Sequence, residues 1–479
     1  MKRKLSSILP ICLAIAALAI AAASHLSAEG PGVYALRDAR IVRVSGPVIE
    51  HGTILVRDGL IEAVGDNITP PADAWVVDCK GLTVYPGLVD ALSNWGLTNT
   101  PATTAAPAAG GRGGGRAQAA IVATPNATAT VVITSTPARG PEDRPSNVAY
   151  NKAADQLFPT DRNIESARNG GYTAAVTFAT GNIFAGQGSV ISLAGERAGD
   201  MVIVPSVGQM ITLGGGRGGG GGGGYPGSLM GSIAYIRQIY LDADHYKLAK
   251  SIYEKHPQGL PRPAYDRTLE GVIATDRVLL PAERSVEIER MIAFAKEMKM
   301  NAVLYGGHEA CRDTDLLKKT NTPILVSLKY PVKAADSDPA LDEPLRTLEL
   351  REKAPTAAGA LAKAGVKFAF YSDGVSTPRD LMRAVKKAID AGLSPADAIR
   401  ALTLSPAEIF GVDNRLGSID KGKIADLVVV DGDIFAGAKV KYVFVDGNKF
   451  EPPDEPAGGG RGGRGGATIP GLNQGGSAQ

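Results

Sequence analysis

Histidine is scarce in this chain, with five copies in 479 positions. Few imidazole nitrogens are therefore on hand for a metal centre or for acid–base work. Cysteine is rarer still, at three copies, which excludes a scaffold stapled by disulfides. Charge is nearly balanced, at a formal +2, so the chain lacks the electrostatic footprint of a general nucleic-acid binder. Beyond the N-terminal stretch, no apolar run reaches the roughly 20 residues that a membrane-spanning helix needs. What is present suits a folded interior: hydrophobic residues make up 44% and charged residues 21%. The length allows one large barrel or two ordinary domains.

The N-terminus accounts for part of the positive charge. Lys2, Arg3 and Lys4 precede an apolar run from Ile8 to Ala23, and Ser27 and Ala28 follow. A basic start, an apolar middle and a small-residue exit predict a secretory signal over residues 1–28, cleaved after Ala23 or Ala28. An uncleaved anchor is the competing reading, but Pro10 and His25 shorten the run. Export to a periplasmic or extracellular space is the resulting expectation. The mature chain would hold 48 basic and 49 acidic side chains. Its cysteines would be Cys79 and Cys311, expected as two lone buried thiols.

Both ends of the mature chain have β texture. Residues 33–78 read as short strands, with Asp58-Gly59 marking a tight hairpin. Residues 423–450 repeat the pattern, with Asp446-Gly447 as a second hairpin signal. The middle alternates strand and helix, which predicts parallel strands joined by crossover helices. A helix is expected from Ser285, as its cap, to Met298, with others over 357–364 and 379–391. Three tracts interrupt the pattern: 99–120, 213–224 and a Gly/Arg-rich tail over 453–479. They read as exposed insertions and a disordered tail. Nucleic-acid binding by the Arg-Gly tracts is the weaker reading, because aromatics are absent from them.

Several stretches carry a resemblance. Pro86-Gly87-Leu88-Val89-Asp90 resembles the opening of an amidohydrolase-superfamily barrel, and Ser372-Asp373-Gly374 resembles its last barrel strand. Leu402 to Gly411, Arg415 to Ile419 and Lys421 to Val429 are similar to the family's return into its small β-domain. The likeness is nearest to the imidazolonepropionase-like branch. It implies an α/β protein: a (β/α)8 TIM-like barrel over 85–410, plus a small β-sandwich from 29–84 and 411–452. It also implies hydrolysis of non-peptide C–N bonds by one or two zinc-type divalent metals that activate water, at the C-terminal ends of barrel strands.

At the ligand positions the sequence departs from that family. The paired histidines expected after Asp90 are Leu92 and Asn94, and those expected on strands five and six fall at Pro281 and Gly306. Leucine cannot bind a metal, and a neutral amide oxygen suits zinc poorly. Asp373 is the only family ligand position retained, and it is the candidate catalytic residue. Among the remaining histidines, His51, His245 and His256 read as surface or packing residues. His308 lies just past a strand end, so His308, Asn94, Glu283 and Glu309 become candidates for a rebuilt metal or substrate site with Asp373. Thr180 to Ile191 resembles a Gly-rich segment of the same branch, read as a loop between strands ahead of a substrate loop.

Two function classes follow. One is a hydrolase with a degenerate or rebuilt metal site. The other is a non-catalytic barrel that binds a small ligand or a partner protein at the former active-site mouth. In either case a small molecule is the expected partner, with no nucleic acid and no membrane beyond export.

Overall fold

The computed structural model describes residues 32–97, 144–213, 226–333, 342–375 and 377–453. The expected signal segment, the 99–120 tract, nearly all of the 213–224 tract and all but the first residue of the 453–479 tail lie outside the described residues.

Among the described residues, sixteen strands form two sheets. In the first half of the chain these are β1 (Val33–Ile41), β2 (Ile49–Arg57), β3 (Leu60–Gly65), β4 (Trp75–Asp78), β5 (Thr83–Pro86), β6 (Leu88–Ser93), β7 (Tyr172–Thr177) and β8 (Phe184–Ser192). The remainder are β9 (Val202–Ile211), β10 (Arg277–Ala282), β11 (Asn301–Gly306), β12 (Ile324–Ser327), β13 (Phe368–Tyr371), β14 (Leu427–Asp431), β15 (Lys439–Val445) and β16 (Asn448–Phe450).

Strands from the two chain ends share one sheet, in the order β16-β15-β14-β5-β1-β2-β3 with β4 added beside β1. The β5–β14 ladder joins them, Tyr85 opposite Val428 and Val84 opposite Val429. Asp58-Gly59 and Asp446-Gly447 turn the chain where expected, with positive φ at all four residues.

The second sheet is the nearly closed barrel, in the order β13-β12-β11-β10-β9-β8-β7-β6, with β13 lying beside β6. Its eight strands match the expected number, but their directions do not all match. β6 and β7 are parallel, as are β9 through β13, whereas β8 runs antiparallel to both of its neighbours.

The reversed strand corrects the reading of Thr180 to Ile191 as a loop. Most of that segment is β8, buried along its whole length. Glycines disfavour strands, yet here they are what fits. Gly186 has φ +109 and sits where a Cβ would come within 2.8 Å of the Asn151 carbonyl oxygen. At Gly188 a Cβ would fall 2.2 Å from Cζ of Phe178, so the buried Phe178 ring occupies the space of the absent side chain.

Helices on the outside follow amphipathic spacing. The Ser285–Glu297 helix buries Ile288, Met291, Ile292 and Ala295. Ser285 is its first residue rather than its cap: its N–H donates to Glu309 Oε2 at 2.9 Å, while Glu287 Oε2 accepts from Arg284 N. Cys79 and Cys311 are free thiols. Cys79 is buried, and burial pushes its thiol up to about 12. Cys311 is only partly buried, which corrects the expectation for that residue.

Gly188→Ala should destabilise the protein by about 1–3 kcal/mol through overpacking, read as a lower urea midpoint. Adding Phe178→Leu should recover part of that loss. Equal midpoints for Gly188→Ala and the parent chain would contradict the packing described.

Candidate functional site at the barrel rim

Parallel strands put their C-terminal ends on one rim. Ser93 ends β6 and Asn94 follows it, Glu283 follows β10, His308 follows β11, and Asp373 follows β13. Pro281 and Gly306 also lie at strand ends, at the register positions of β10 and β11. The four positions where the resemblance calls for histidine therefore do map to one rim, and they hold Leu92, Asn94, Pro281 and Gly306.

The structure brings the candidate residues together in two pairs. In the first, His308 Nδ1 lies 3.0 Å from Glu283 Oε1. A carboxylate only accepts, so Nδ1 carries the proton and donates it to Glu283. The hydrogen bond from His308 holds the Glu283 carboxyl below its ordinary range, against a smaller opposing effect of burial. His308 is 4% exposed, and its Nε2 has no hydrogen-bond partner among the described residues. The ring of Tyr330 is 6.1 Å away, and its buried hydroxyl likewise has no partner among the described residues.

The second pair joins Asp373 Oδ2 to Ser327 Oγ, which donates at 2.8 Å. Asp373 is exposed and sits in the left-handed region at φ 49, a conformation that aspartate tolerates better than most residues. Beside it, burial and then the Asp373 charge raise the Tyr371 phenol well above its ordinary value. Asn94 joins neither pair. It is exposed, and its carbonyl accepts from Leu97 N. Glu309 serves the helix start at Ser285 and so is not a free rim acid. Among the described residues, no three His, Cys, Asp or Glu side chains form a group that could hold a metal ion.

The rim interior is filled. Leu92, Phe178, Met210 and Tyr371 belong to one buried cluster, with Tyr305 packed against it. Each lies at or just past the C-terminal end of its strand. The Tyr305 hydroxyl donates to the Ile211 carbonyl at 3.0 Å, tying β11 to β9. A groove of about 1130 Å³ lies instead between the Pro378–Asp390 helix and Ile434–Val440, and it contains none of Asn94, Glu283, His308 or Asp373.

Asp90, beneath this layer, was read in the sequence only as part of the Pro86–Asp90 stretch. It is 1% exposed, and its Oδ1 accepts from Ser372 N at 3.0 Å and Leu92 N at 3.3 Å. It thus bridges the first and last barrel strands. Burial lifts its carboxyl to about 7, partly opposed by those hydrogen bonds. Tyr305, Tyr371, Ser327 and Tyr330 were also missed. The signal available was alternation: Tyr371 precedes Ser372-Asp373, and Tyr305 sits two residues after Val303 on β11.

Comparison with known proteins bears on the fold.

The amidohydrolase family profile matches residues 246–450.

Among solved structures, an amidohydrolase from Thermotoga maritima MSB8 is similar at 26% identity and a TM-score of 0.67, covering 87% of this chain and 100% of that one. A Xaa-Pro dipeptidase with methionine bound in its active site shares the fold alone, at 13% identity and a TM-score of 0.51 over 88% of this chain and 100% of that one. The adenine deaminase of Methanococcoides burtonii is 35% identical over 138 residues, 24% of this chain and 23% of that protein. Adenine deaminase 1 of Desulfotalea psychrophila is 44% identical over 63 residues, 13% of this chain and 10% of that protein. The chain thus spans a tenth to a quarter of the length of these two curated relatives.

The Asp90 carboxyl binds its proton more tightly in the fold, at about 7, than at its ordinary 3.8. Between those values the folded state holds the extra proton, so stability falls as pH rises from about 4 to about 7. Asp90→Asn keeps an acceptor for Ser372 N and removes the titration. The difference in melting temperature, variant minus parent, should therefore grow more positive across that window. A constant difference from pH 4 to pH 7 would contradict the assignment.

Proposed function

We propose that this chain is an exported, amidohydrolase-type barrel that binds a small organic molecule at its rim, with the metal-water chemistry of the family lost. The observation that carries this reading is the set Leu92, Asn94, Pro281 and Gly306 at the four strand-end positions. The remaining donors do not fit a zinc-type hydrolytic centre. Such a centre usually takes three protein ligands with an open position. Here the Nδ1 of His308 is engaged by Glu283, Asp373 is held by Ser327, and apolar side chains fill the space between.

Ligands of the right class are compact amides, ureas, cyclic imides or purines, the kinds of molecule with hydrolysable non-peptide C–N bonds. The names of the two adenine deaminases support the purine part of that range, from matches that cover small parts of those proteins. Supporting polar groups are the Nε2 of His308, the Tyr330 hydroxyl and the Asp373 carboxylate. In the same reading the end sheet is a small β-sandwich over 29–84 and 411–452, the barrel occupies 85–410, and residues 1–28 direct export.

A second reading is favoured by one observation, the buried and unpartnered Nε2 of His308 backed by Glu283. A carboxylate that orients an imidazole and leaves one lone pair available is the arrangement of a general base. Under this reading His308 draws a proton from water that attacks a C–N bond, and the protonated imidazole then returns it to the leaving nitrogen. Glu283 stabilises the imidazolium that forms in between.

One experiment separates the two. Purified full chain is supplied with zinc or manganese, dialysed, and assayed for bound metal, for thermal shift with a panel of amides, ureas, cyclic imides and purines, and for turnover. The expected result is well under one metal per chain, a thermal shift with one ligand class, and no turnover. Turnover without metal that His308→Ala abolishes would replace the binding reading with the second. Stoichiometric metal lost on Asp373→Ala or His308→Ala, with hydrolysis dependent on that metal, would overturn both.

A further inference from the structure

We infer that this protein forms a two-fold dimer through the outer face of its longest described helix, Leu229–Lys255, packed antiparallel against the same helix of a second copy. The inference is independent of the chemistry at the barrel rim.

The helix is 27 residues long, about 40 Å at 1.5 Å per residue. One face is committed to the barrel: Tyr235, Ile236, Ile239, Ala243 and Tyr246 are buried, and Phe184 of β8 meets Tyr235 edge-on. The opposite face is exposed at Gln238, Leu241, His245, Leu248, Ile252 and Lys255. Those positions advance by alternating steps of three and four residues. That spacing is the seam of a two-stranded coiled coil, which keeps one stripe turned toward a partner helix. Leu241 is 52% exposed, Leu248 59% and Ile252 45%. A surface helix of a monomer ordinarily puts polar residues on such a face.

The occupant follows from self-complementarity. Antiparallel pairing places His245 of one copy against Leu248 of the other. The same alignment sets Leu241 against Ile252 and Gln238 against Lys255. Every apolar seam residue then meets a seam residue of its partner, and each contact occurs twice, as a two-fold interface requires.

Charge selects the antiparallel sense. Asp242 and Asp244 lie in the middle of the helix, and Lys247, Lys250 and Lys255 follow them. Parallel pairing would stack acid on acid and base on base. Antiparallel pairing brings the acidic stretch of each copy across from the basic stretch of the other. The ion pairs of Lys250 with Glu270 and of Arg237 with Glu297 anchor the helix within its own chain.

The interface extends beyond the seam. Tyr265 is exposed and lies beside the helix, because the next residue, Asp266, donates its N–H to the Tyr246 hydroxyl at 3.4 Å. Met230, also exposed, falls on the same stripe as Leu241 and Leu248 near the helix start.

The test uses the full chain. Sedimentation and light scattering over a concentration series should give a dimer. Leu241→Glu with Leu248→Glu should weaken it by at least about 100-fold, with circular dichroism and melting of the monomer unchanged because both positions are exposed. In a Cys311→Ser background, His245→Cys with Leu248→Cys should form an intermolecular disulfide under mild oxidation. Either cysteine alone should form much less, since neither faces its own copy. A chain that stays monomeric throughout would overturn the inference. So would a dimer untouched by the Glu pair, which would place the interface elsewhere. Efficient cross-linking of either single cysteine variant would overturn the antiparallel arrangement.

Discussion

A single carboxylate spans the seam of the barrel. Seven ladders link β6 round to β13, and the remaining junction is bridged by Asp90, whose Oδ1 takes the backbone N–H of Ser372. An apolar residue at that place would leave a buried donor without its acceptor, a loss on the order of 1–3 kcal/mol. Burying the carboxyl raises its proton affinity, so the bridge works against its own charge at neutral pH. The arrangement of the rim depends on it, because Ser372 carries Asp373 directly behind it and Leu92 sits two residues beyond Asp90. An aspartate in this position is thus accounted for by structure alone, without any bound cation.

Above that bridge the interior has been given over to packing. Leu92 and Tyr371 fill from β6 and β13, Phe178 and Met210 from β7 and β9, and Tyr305 crosses between strands. The polar groups fall into two separate pairs, Glu283 with the buried His308 and Ser327 with the exposed Asp373.

Much of this was legible in the chain, and where it was not there is a physical cause. The helix over Ala357–Ala364 and the strand from Asn301 stand where the sequence pattern put them, the strand because its short apolar run is buried nearly throughout. Asp58-Gly59 and Asp446-Gly447 were readable because those turns demand positive φ. The reversed β8 was not readable, since its glycines answer to Phe178 and Asn151, partners that are distant or outside the local pattern. The Glu283–His308 pair was anticipated as a neighbourhood. Separation of Asn94 from it, and the capture of Glu309 by a helix terminus, depend on loop geometry that spacing does not encode.

The sheet that both ends of the chain share has a topological effect. β5 leads into the barrel and β14 comes out of it, and the two are laddered together along Thr83–Pro86 and Leu427–Val430. The barrel is therefore a closed ring of polypeptide whose clasp is a backbone ladder. Protease cleavage anywhere inside that ring leaves both fragments laced to the same clasp, so the nicked protein travels as one particle until a denaturant undoes it.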